Sequence, residues 1–284
     1  MTRTSVVVVT YQSAGTIAAC LRSLPPGLEV VVVDNASDDA SAAIAKEGGA
    51  AVTVNALNRG FAAAANQGAR LTSGQFVLFL NPDAQIVEDC VARLEQALDA
   101  HAEVAAVGPA SIDSEGKVLP GLWPFPRATH SWVNQLGLHR LLPSRPPRDG
   151  FVVGTCLLVR RSWFDRLGGF DEEFWLYGED ADFGRRALNL GGRSMVVEGA
   201  AIHHIGGHSA DQSEVSFEQF FRGTDLYIKK HHGAASLVSH RVADLIGAVV
   251  RTVAFWPTRR VRSRFFGRLA RRELRALLRR PTSP

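Results

Sequence analysis

The chain has little cysteine. Its three residues, Cys20, Cys90 and Cys156, are odd in number, far apart and without metal-ligand spacing. That excludes a disulfide framework or a zinc knuckle and points to buried thiols in a reducing compartment. There is no uninterrupted apolar run of about 18 residues, the length a membrane-spanning helix needs. Met1-Thr2-Arg3-Thr4 leads straight into a strand-like run rather than a secretory leader, so the expectation is a protein retained in the cytoplasm. The first strand-like run ends in Thr10-Tyr11-Gln12-Ser13, with no glycine-rich turn of the dinucleotide-binding kind, which argues against a nicotinamide-dependent enzyme. There is no internal repeat, and the only biased segment is an arginine-rich tail.

What remains is a globular composition, 46% hydrophobic over 284 residues, able to bury one large core or one core with appendages. The net charge of +4 is unevenly placed. Eleven arginines and one glutamate lie between Arg251 and Arg280, about +10, leaving about −6 for residues 1–250.

Periodicity defines the class. Strand-like runs at 5–10, 30–33, 51–54, 76–80 and 104–107 alternate with helical patterns at 14–24, 39–46, 61–72 and 88–100. Such alternation predicts an α/β fold with a Rossmann-like, mostly parallel central sheet, right-handed crossovers and flanking helices. The apolar runs are continuous rather than alternating, as strands covered on both faces require. Residues 111–150 break the pattern with prolines at 120, 124, 126, 143, 146 and 147, and read as an irregular insertion, a cover or acceptor-side loop. Regular structure resumes with a strand over 151–159, helices over 162–167 and 180–190 and a strand over 194–197. Beyond about Ser216 the chain is predicted helical to its end.

Three acidic clusters sit where strands should end, which is where open α/β sheets place ligands. Asp34-Asn35-Ala36-Ser37-Asp38 offers an acceptor and an amide to a base or ribose edge; its alternative is an Asx-turn capping the next helix. Asn81-Pro82-Asp83-Ala84 puts Asp83 at the edge of a buried strand, where a divalent cation is its natural partner; a plain turn aspartate is the other reading. Glu179, Asp180 and Asp182 crowd together behind the aromatic Phe174-Trp175-Leu176-Tyr177. Asn58-Arg59-Gly60-Phe61 precedes an alanine-rich helix containing Asn66, so Arg59 at that helix N-terminus suits a phosphate. His203, His204 and His208 follow a strand and offer imidazole to Mn²⁺; a structural histidine is the plainer reading.

Together these motifs resemble the family 2 glycosyltransferases with the GT-A fold, and most closely the bacterial rhamnosyltransferases of cell-wall linker and surface polysaccharide synthesis. The resemblance rests on Val8-Val9-Thr10-Tyr11, the Asp34 and Asn58 segments, Asn66-Gln67-Gly68, Asn81-Pro82-Asp83-Ala84 and the strand from Gly154 to Arg161. It continues through Leu167-Gly168-Gly169-Phe170-Asp171-Glu172, Glu179-Asp180 and the His204 region, in order over roughly residues 4–232. It implies a catalytic domain at 1–232, with a nucleotide-binding half at 1–110 and an acceptor half at 151–232. Thr10, Tyr11, Asp34 and Asn35 would hold the nucleoside, and Arg59, Asn66 and Asn81 would lie near the sugar diphosphate. Asp83 matches the last acid of the family's Asp-x-Asp metal motif, with Mg²⁺ or Mn²⁺ as cofactor. Asn81 departs from that motif's first acid, a change that looks like the rhamnosyltransferase branch and weakens the metal site. His204 aligns with the metal-side histidine, with His203 as the alternative one residue away. Asp180 matches the general base of an inverting transfer, with Glu179 beside it.

The resemblance thus implies a nucleotide-sugar donor, dTDP-rhamnose foremost, and a lipid-linked saccharide acceptor. Galactofuranose, glucose or a hexosamine is the alternative sugar, and a non-catalytic nucleotide-sugar-binding subunit is the reading from another class. In the 233–284 tail, Phe266, Leu269, Ala270, Leu274, Leu277 and Leu278 alternate at helical spacing with Arg268, Arg271, Arg272, Arg275 and Arg279. That is a basic amphipathic helix suited to an anionic membrane surface rather than to nucleic acid, with the apolar stretch 242–256 beside it. The expected location is peripheral, on the inner face of the cell membrane.

Overall fold

A computed structural model describes residues 3–113, 115–138, 147, 149–204, 214–255 and 260–278; His208 and Arg279 lie outside them. Strand β1 (Thr4–Thr10) is buried along its whole length, because valines on both faces are stable only between two layers of helix. Strands β2 (Glu29–Asp34) and β4 (Phe76–Leu80) flank it in parallel, and β3 (Ala51–Val54) extends the sheet beyond β2. The crossovers are helices α1 (Ile17–Arg22), α2 (Ser41–Glu47) and α3 (Phe61–Arg70). In the order β3-β2-β1-β4 the chain reverses its direction of growth between β1 and β4. A crevice opens at the carboxyl ends of two such strands.

Beyond β4 the mostly parallel sheet takes in antiparallel strands. Strand β10 (Cys156–Arg160) runs antiparallel between β4 and β6 (Val104–Ile112). Strand β11 (Arg193–His204) is parallel to β6, while β5 (Ala84–Ile86) pairs antiparallel with β11 and β7 (Val118–Leu119) with β6. The run read as one strand over 151–159 is two: β9 (Gly150–Val152) pairs with β8 (Leu122–Pro124) in a separate ribbon, and Val153, Gly154 and Thr155 separate it from β10. Helix α4 (Cys90–Ala100) packs on β6 and β11, and α6 (Arg161–Arg166) and α7 (Glu179–Asn189) follow β10.

Strand alternation divides the core. Val6, Val8, Val32, Leu78, Leu80 and Leu158 face Ile17, Leu94 and Leu98 of α1 and α4. Val7, Val33, Val77, Phe79 and Val159 face the alanines of α3 and a cluster of Phe164, Phe170 and Phe183. Each large apolar side chain so buried contributes about 1.5–3 kcal/mol. All three cysteines are buried thiols, and burial pushes Cys20 up to about 12, which leaves it unreactive.

The chain divides into two units, Met1–Phe125 with Pro147–Gly223, and Pro126–Pro146 with Thr224–Pro284. The sheet belongs to the first. The 111–150 segment is therefore not one irregular insertion: it carries β7, β8 and helix α5 (Ala128–Gln135), and its second half belongs with the C-terminal helices. Helix α5 buries no residue fully, so it leaves no apolar period to read. Helix α8 (Glu214–Phe255) is broken at Gly233, at φ 83° and ψ 171°, a conformation open only to glycine. Helix α9 (Arg260–Leu278) forms as the tail pattern predicts. Its charge is not all turned outward, however, since Leu269 and Glu273 are buried and Arg272 pairs with Asp225.

Gly60, which opens α3, is held at φ 81° and ψ 169°. A Cβ there would lie 2.3 Å from the carbonyl oxygen of Trp175, the oxygen that accepts a hydrogen bond from Phe61 N–H at 2.7 Å. Gly60→Ala is therefore expected to cost about 2 kcal/mol or more. Gly15→Ala, with open space around it, should stay within about 0.5 kcal/mol. Urea unfolding of the two variants checks the contrast, and equal midpoints would show that the Gly60 contact is not a constraint.

Candidate active site

A cavity of about 400 Å³ opens at the carboxyl ends of β1 and β4, lined by Tyr11, Gln12, Ser13, Gly15, Thr16, Pro82 and Asp83. This is the crevice that the strand order creates, and its size suits a small ligand. Tyr11 is half-exposed beside it. Gln12 has a left-handed backbone, φ 53°, held by its N–H to Ser37 Oγ at 3.0 Å and by its amide to Asp38 Oδ1 at 2.5 Å. Strain of this kind persists only where neighbours fix it, and it gathers at ligand sites. The lining residues Gln12, Ser13, Gly15 and Thr16 were not candidates from sequence; their position directly after β1 was the signal.

Thr10, Asp34 and Asn35 are buried beneath this wall. The Asp34 carboxylate accepts the Thr10 hydroxyl at 2.8 Å, the Ser37 hydroxyl at 2.6 Å and the Ser37 N–H at 2.9 Å. Asp34 thus closes a local turn onto Ser37 but does not cap the next helix, since the Ser41 N–H that opens α2 donates to Asp39 instead. Asn35 donates to the Gly60 carbonyl at 2.9 Å and accepts from Asn55 Nδ2 at 2.9 Å, tying the β2 loop to the one that opens α3. Of the four nucleoside candidates, Tyr11 presents surface to the cavity and the other three fix its walls.

Arg59 is exposed at the N-terminus of α3, 4.0 Å from Glu172 and donating to Gln67 Oε1 at 3.3 Å. Asn66 is buried, and its amide is committed to one loop. It donates to Phe170 O at 2.8 Å and Glu172 Oε1 at 3.1 Å, and accepts from Phe170 N–H at 2.9 Å. Any effect of Asn66 on a ligand therefore passes through Glu172 and the Phe170 loop.

Asp83 is 2% exposed, and its Oδ2 faces Nε2 of His204 at 3.4 Å. The β11 register pairs His204 with Ala84 and His203 with Gln85, which brings His204 rather than His203 to Asp83. His204 Nε2 is buried and makes no hydrogen bond among the described residues. A hard carboxylate oxygen and a buried imidazole nitrogen with no hydrogen bond form a donor set that fits Mn²⁺, and with water and diphosphate oxygens also Mg²⁺. Among the described residues no group of three or more His, Cys, Asp and Glu is placed to hold a metal ion. A cation here would be held by two protein side chains and would take the rest of its shell from its ligand and water. Asn81 contributes its backbone: its N–H donates to Thr155 O at 2.9 Å, and its carbonyl receives Ala84 N–H at 3.1 Å and the Cys20 thiol at 3.4 Å.

The same two-residue joint holds the catalytic candidates. Gly154 N–H donates to Asp180 Oδ2 at 2.8 Å, next to the Thr155 carbonyl that fixes Asn81. Ala181 N–H donates to Asp180 Oδ1 at 2.7 Å. Glu179 and Asp180 open α7, where the helix dipole favours negative charge. Desolvation still raises the Asp180 carboxyl above the usual range, against the opposing pull of those N–H groups. Glu179 is raised much further, by desolvation first and by the Asp180 charge second, and its Oε2 is buried without a hydrogen bond among the described residues. Of the two, Glu179 is thus the carboxyl held further from its ionised form. Asp182 is taken up structurally: it is fully buried and receives Arg186 Nε at 2.7 Å, while Arg186 also donates to Leu167 O and Gly169 O. Arg185 lies over Phe125, 4.2 Å from its ring centre.

Known proteins share this family and this fold. The family model described as glycosyl transferase family 2 matches residues 5–168, and that of the N-terminal domain of galactosyltransferase matches residues 147–208. The N-acetylglucosaminyl-diphospho-decaprenol L-rhamnosyltransferase of Mycobacterium tuberculosis is 30% identical, over 80% of this chain and 84% of the relative. The low-salt glycan biosynthesis hexosyltransferase Agl10 of Haloferax volcanii is 26% identical, over 70% of this chain and 66% of its own. In fold, the chain is similar to the mannosyltransferase PcManGT of Pyrobaculum calidifontis, solved with GDP-Man and Mn²⁺, with a TM-score of 0.57 at 18% identity over 96% and 87% of the two chains. It is likewise similar to S. aureus TarS 1-349, with a TM-score of 0.54 at 21% identity over 90% and 73%. With a family model matched over more than half its length and a rhamnosyltransferase aligned across four-fifths of it, the chain belongs to glycosyltransferase family 2 and is a glycosyltransferase of GT-A type.

Proposed function

We propose that the chain transfers rhamnose from dTDP-rhamnose to a lipid-linked saccharide, with inversion at the anomeric carbon, on the cytoplasmic face of the membrane. The observation that carries the chemistry is the Gly154–Thr155 joint, which fixes Asp180 and the end of the Asp83 strand in one frame. The sugar and the acceptor rest on the Mycobacterium tuberculosis relative, whose name specifies rhamnose and a decaprenol-linked N-acetylglucosamine.

In this reading the nucleoside lies in the cavity against Tyr11, and Arg59 at the α3 N-terminus meets the diphosphate. Asp180 takes the proton of the acceptor hydroxyl as that oxygen bonds to the anomeric carbon. The bond to the diphosphate oxygen breaks on the opposite face, and its electron pair leaves with the nucleoside diphosphate. A positioned base contributes about 10²- to 10⁴-fold. Bound at Asp83 and His204, Mg²⁺ or Mn²⁺ supplies positive charge to the diphosphate. Burial holds Glu179 further from its ionised form than Asp180, which leaves Asp180 the better candidate for the base.

Purified protein given dTDP-rhamnose and a lipid-diphospho-N-acetylglucosamine analogue should form a product of inverted anomeric configuration by NMR. Transfer from a different nucleotide sugar would reassign the donor, and donor binding without turnover would favour a non-catalytic subunit. Asp180→Asn should cut kcat by about 10²-fold or more with donor affinity kept. Glu179→Gln, which mimics the neutral acid, should stay within about tenfold; a reversed order would exchange the two roles.

Because the base must be ionised and burial raises it, kcat/KM should climb with pH along an acid limb above the ordinary carboxylate range. Its apparent pKa belongs to the Glu179–Asp180 pair. A pH–rate profile checks this, and a limb near pH 4 would contradict it.

Asp83→Ala should weaken nucleoside-diphosphate binding in Mn²⁺ but not in EDTA, measured by calorimetry, with His204→Ala following it and His203→Ala behaving as the parent. Equal losses with and without metal would remove the cation from this site.

A further inference from the structure

The second unit has an ionic interior. Asp225, His240 and Asp244 are at most 6% exposed and Glu273 is fully buried. Arg272 and Arg241 donate to Asp225 Oδ2 at 2.7 and 3.1 Å, and Arg272 also pairs with Glu273. His240 Nε2 stands 3.7 Å from Asp225 and 3.6 Å from Asp244, with Ser131 at its other nitrogen and Gln135 donating to Asp244. Arg251 reaches Gln135 and lies over Phe266.

The outward side of α8 is apolar instead. Val238, Ile246, Val249, Val250 and Val253 are 44 to 69% exposed, with Val242 partly exposed between them. At 100° per residue these positions share an arc of roughly 120°, running about 22 Å along the helix. Ser239 is the only polar residue in that arc. A helix facing water carries the opposite pattern, and a contiguous apolar strip of this length marks a contact surface.

We propose that this face of α8 lies in the headgroup–acyl boundary of an anionic bilayer, with α9 beside it. The exposed side of α9 alternates Phe265, Leu274 and Leu278 with Arg268, Arg271 and Arg275, a pattern complementary to lipid phosphates over an apolar layer. A span is disfavoured even though α8 is long and apolar enough for one. Arg241, Asp244 and Arg251 on its covered side are paired with α5 and α9, so the helix lies in the plane of the surface. A symmetric second copy is the weaker occupant, because it would bring the arginines of α9 against their own equivalents. The inference deepens the membrane location proposed above and is independent of which sugar is transferred.

The test is co-sedimentation of the full chain with phosphatidylglycerol-containing and with purely phosphatidylcholine vesicles. The parent should bind the anionic vesicles, and Val249→Glu/Val253→Glu should lower that binding at least tenfold while turnover of a water-soluble acceptor stays within twofold. Should the double variant lose that turnover, the single Val253→Glu, at the most exposed position, is read in its place. A parent that binds and a valine variant that binds equally would overturn the α8 assignment alone. A parent that ignores anionic vesicles would remove the membrane location with it. A dimeric parent that the valine variant turns into a monomer by light scattering would assign the face to self-association instead.

Discussion

The candidate active site depends on one strand that runs against its neighbours. Antiparallel between β4 and β6, β10 begins where β4 ends, so the Gly154–Thr155 joint that enters it lies beside the Asn81–Asp83 loop. One backbone carbonyl of that joint holds Asn81, and the neighbouring N–H holds Asp180. A parallel strand at this place would begin at the far edge of the sheet, and the two carboxylates would belong to unconnected loops. Each hydrogen bond nets only about 1 kcal/mol, but leaving a buried carboxylate unsatisfied costs about 1–3 kcal/mol or more. The joint therefore fixes position more than it adds stability.

The first half of the sheet was legible because its strands are buried on both faces and read as unbroken valine, leucine and phenylalanine runs. Strand β5 was not, since Ala84–Ile86 is three residues long and follows a proline turn. Its antiparallel pairing with β11 nevertheless decides the site, because that register chooses His204 over His203. Registers of this kind come from long-range pairing and leave no local trace. The clusters themselves were legible as clusters. Their division of labour was not: Asp34 and Asn66 read as ligand contacts in sequence, and nothing in the sequence signals that Asp34 also holds Thr10 and Ser37 or that Asn66 also holds the Phe170 loop.

The tail shows the converse limit. A count of arginines gives its charge, and the 3.6-residue period gives its helix, but neither tells which side faces water. Arg272 lies between Leu269 and Leu277 in sequence and reads as part of a solvated basic face. In the folded unit its guanidinium is drawn inward by Asp225, which lies some 47 residues earlier and carries no local signal of that pairing. Once the buried partners of α9 are known, the valines of α8 become the surface that lacks an explanation.

Both units bury carboxyl groups, and the surroundings decide what each burial does. In the first unit desolvation, and then the charge of the adjacent Asp180, push the Glu179 carboxyl well above the usual range, while Asp180 is raised against the pull of two backbone N–H groups. In the second, Glu273 is pushed up to about 7 by burial, while Arg272 beside it pulls the other way and Asp225 adds to the rise. Glu273 is thus poised near neutrality in a cluster whose cations, Arg241 and Arg272, come from both long helices. A carboxyl raised on folding weakens the fold as pH climbs through its native value, so this ionic interior stabilises little by itself. What it does is hold polar groups away from the outer face of α8, which leaves a continuous apolar strip exposed there.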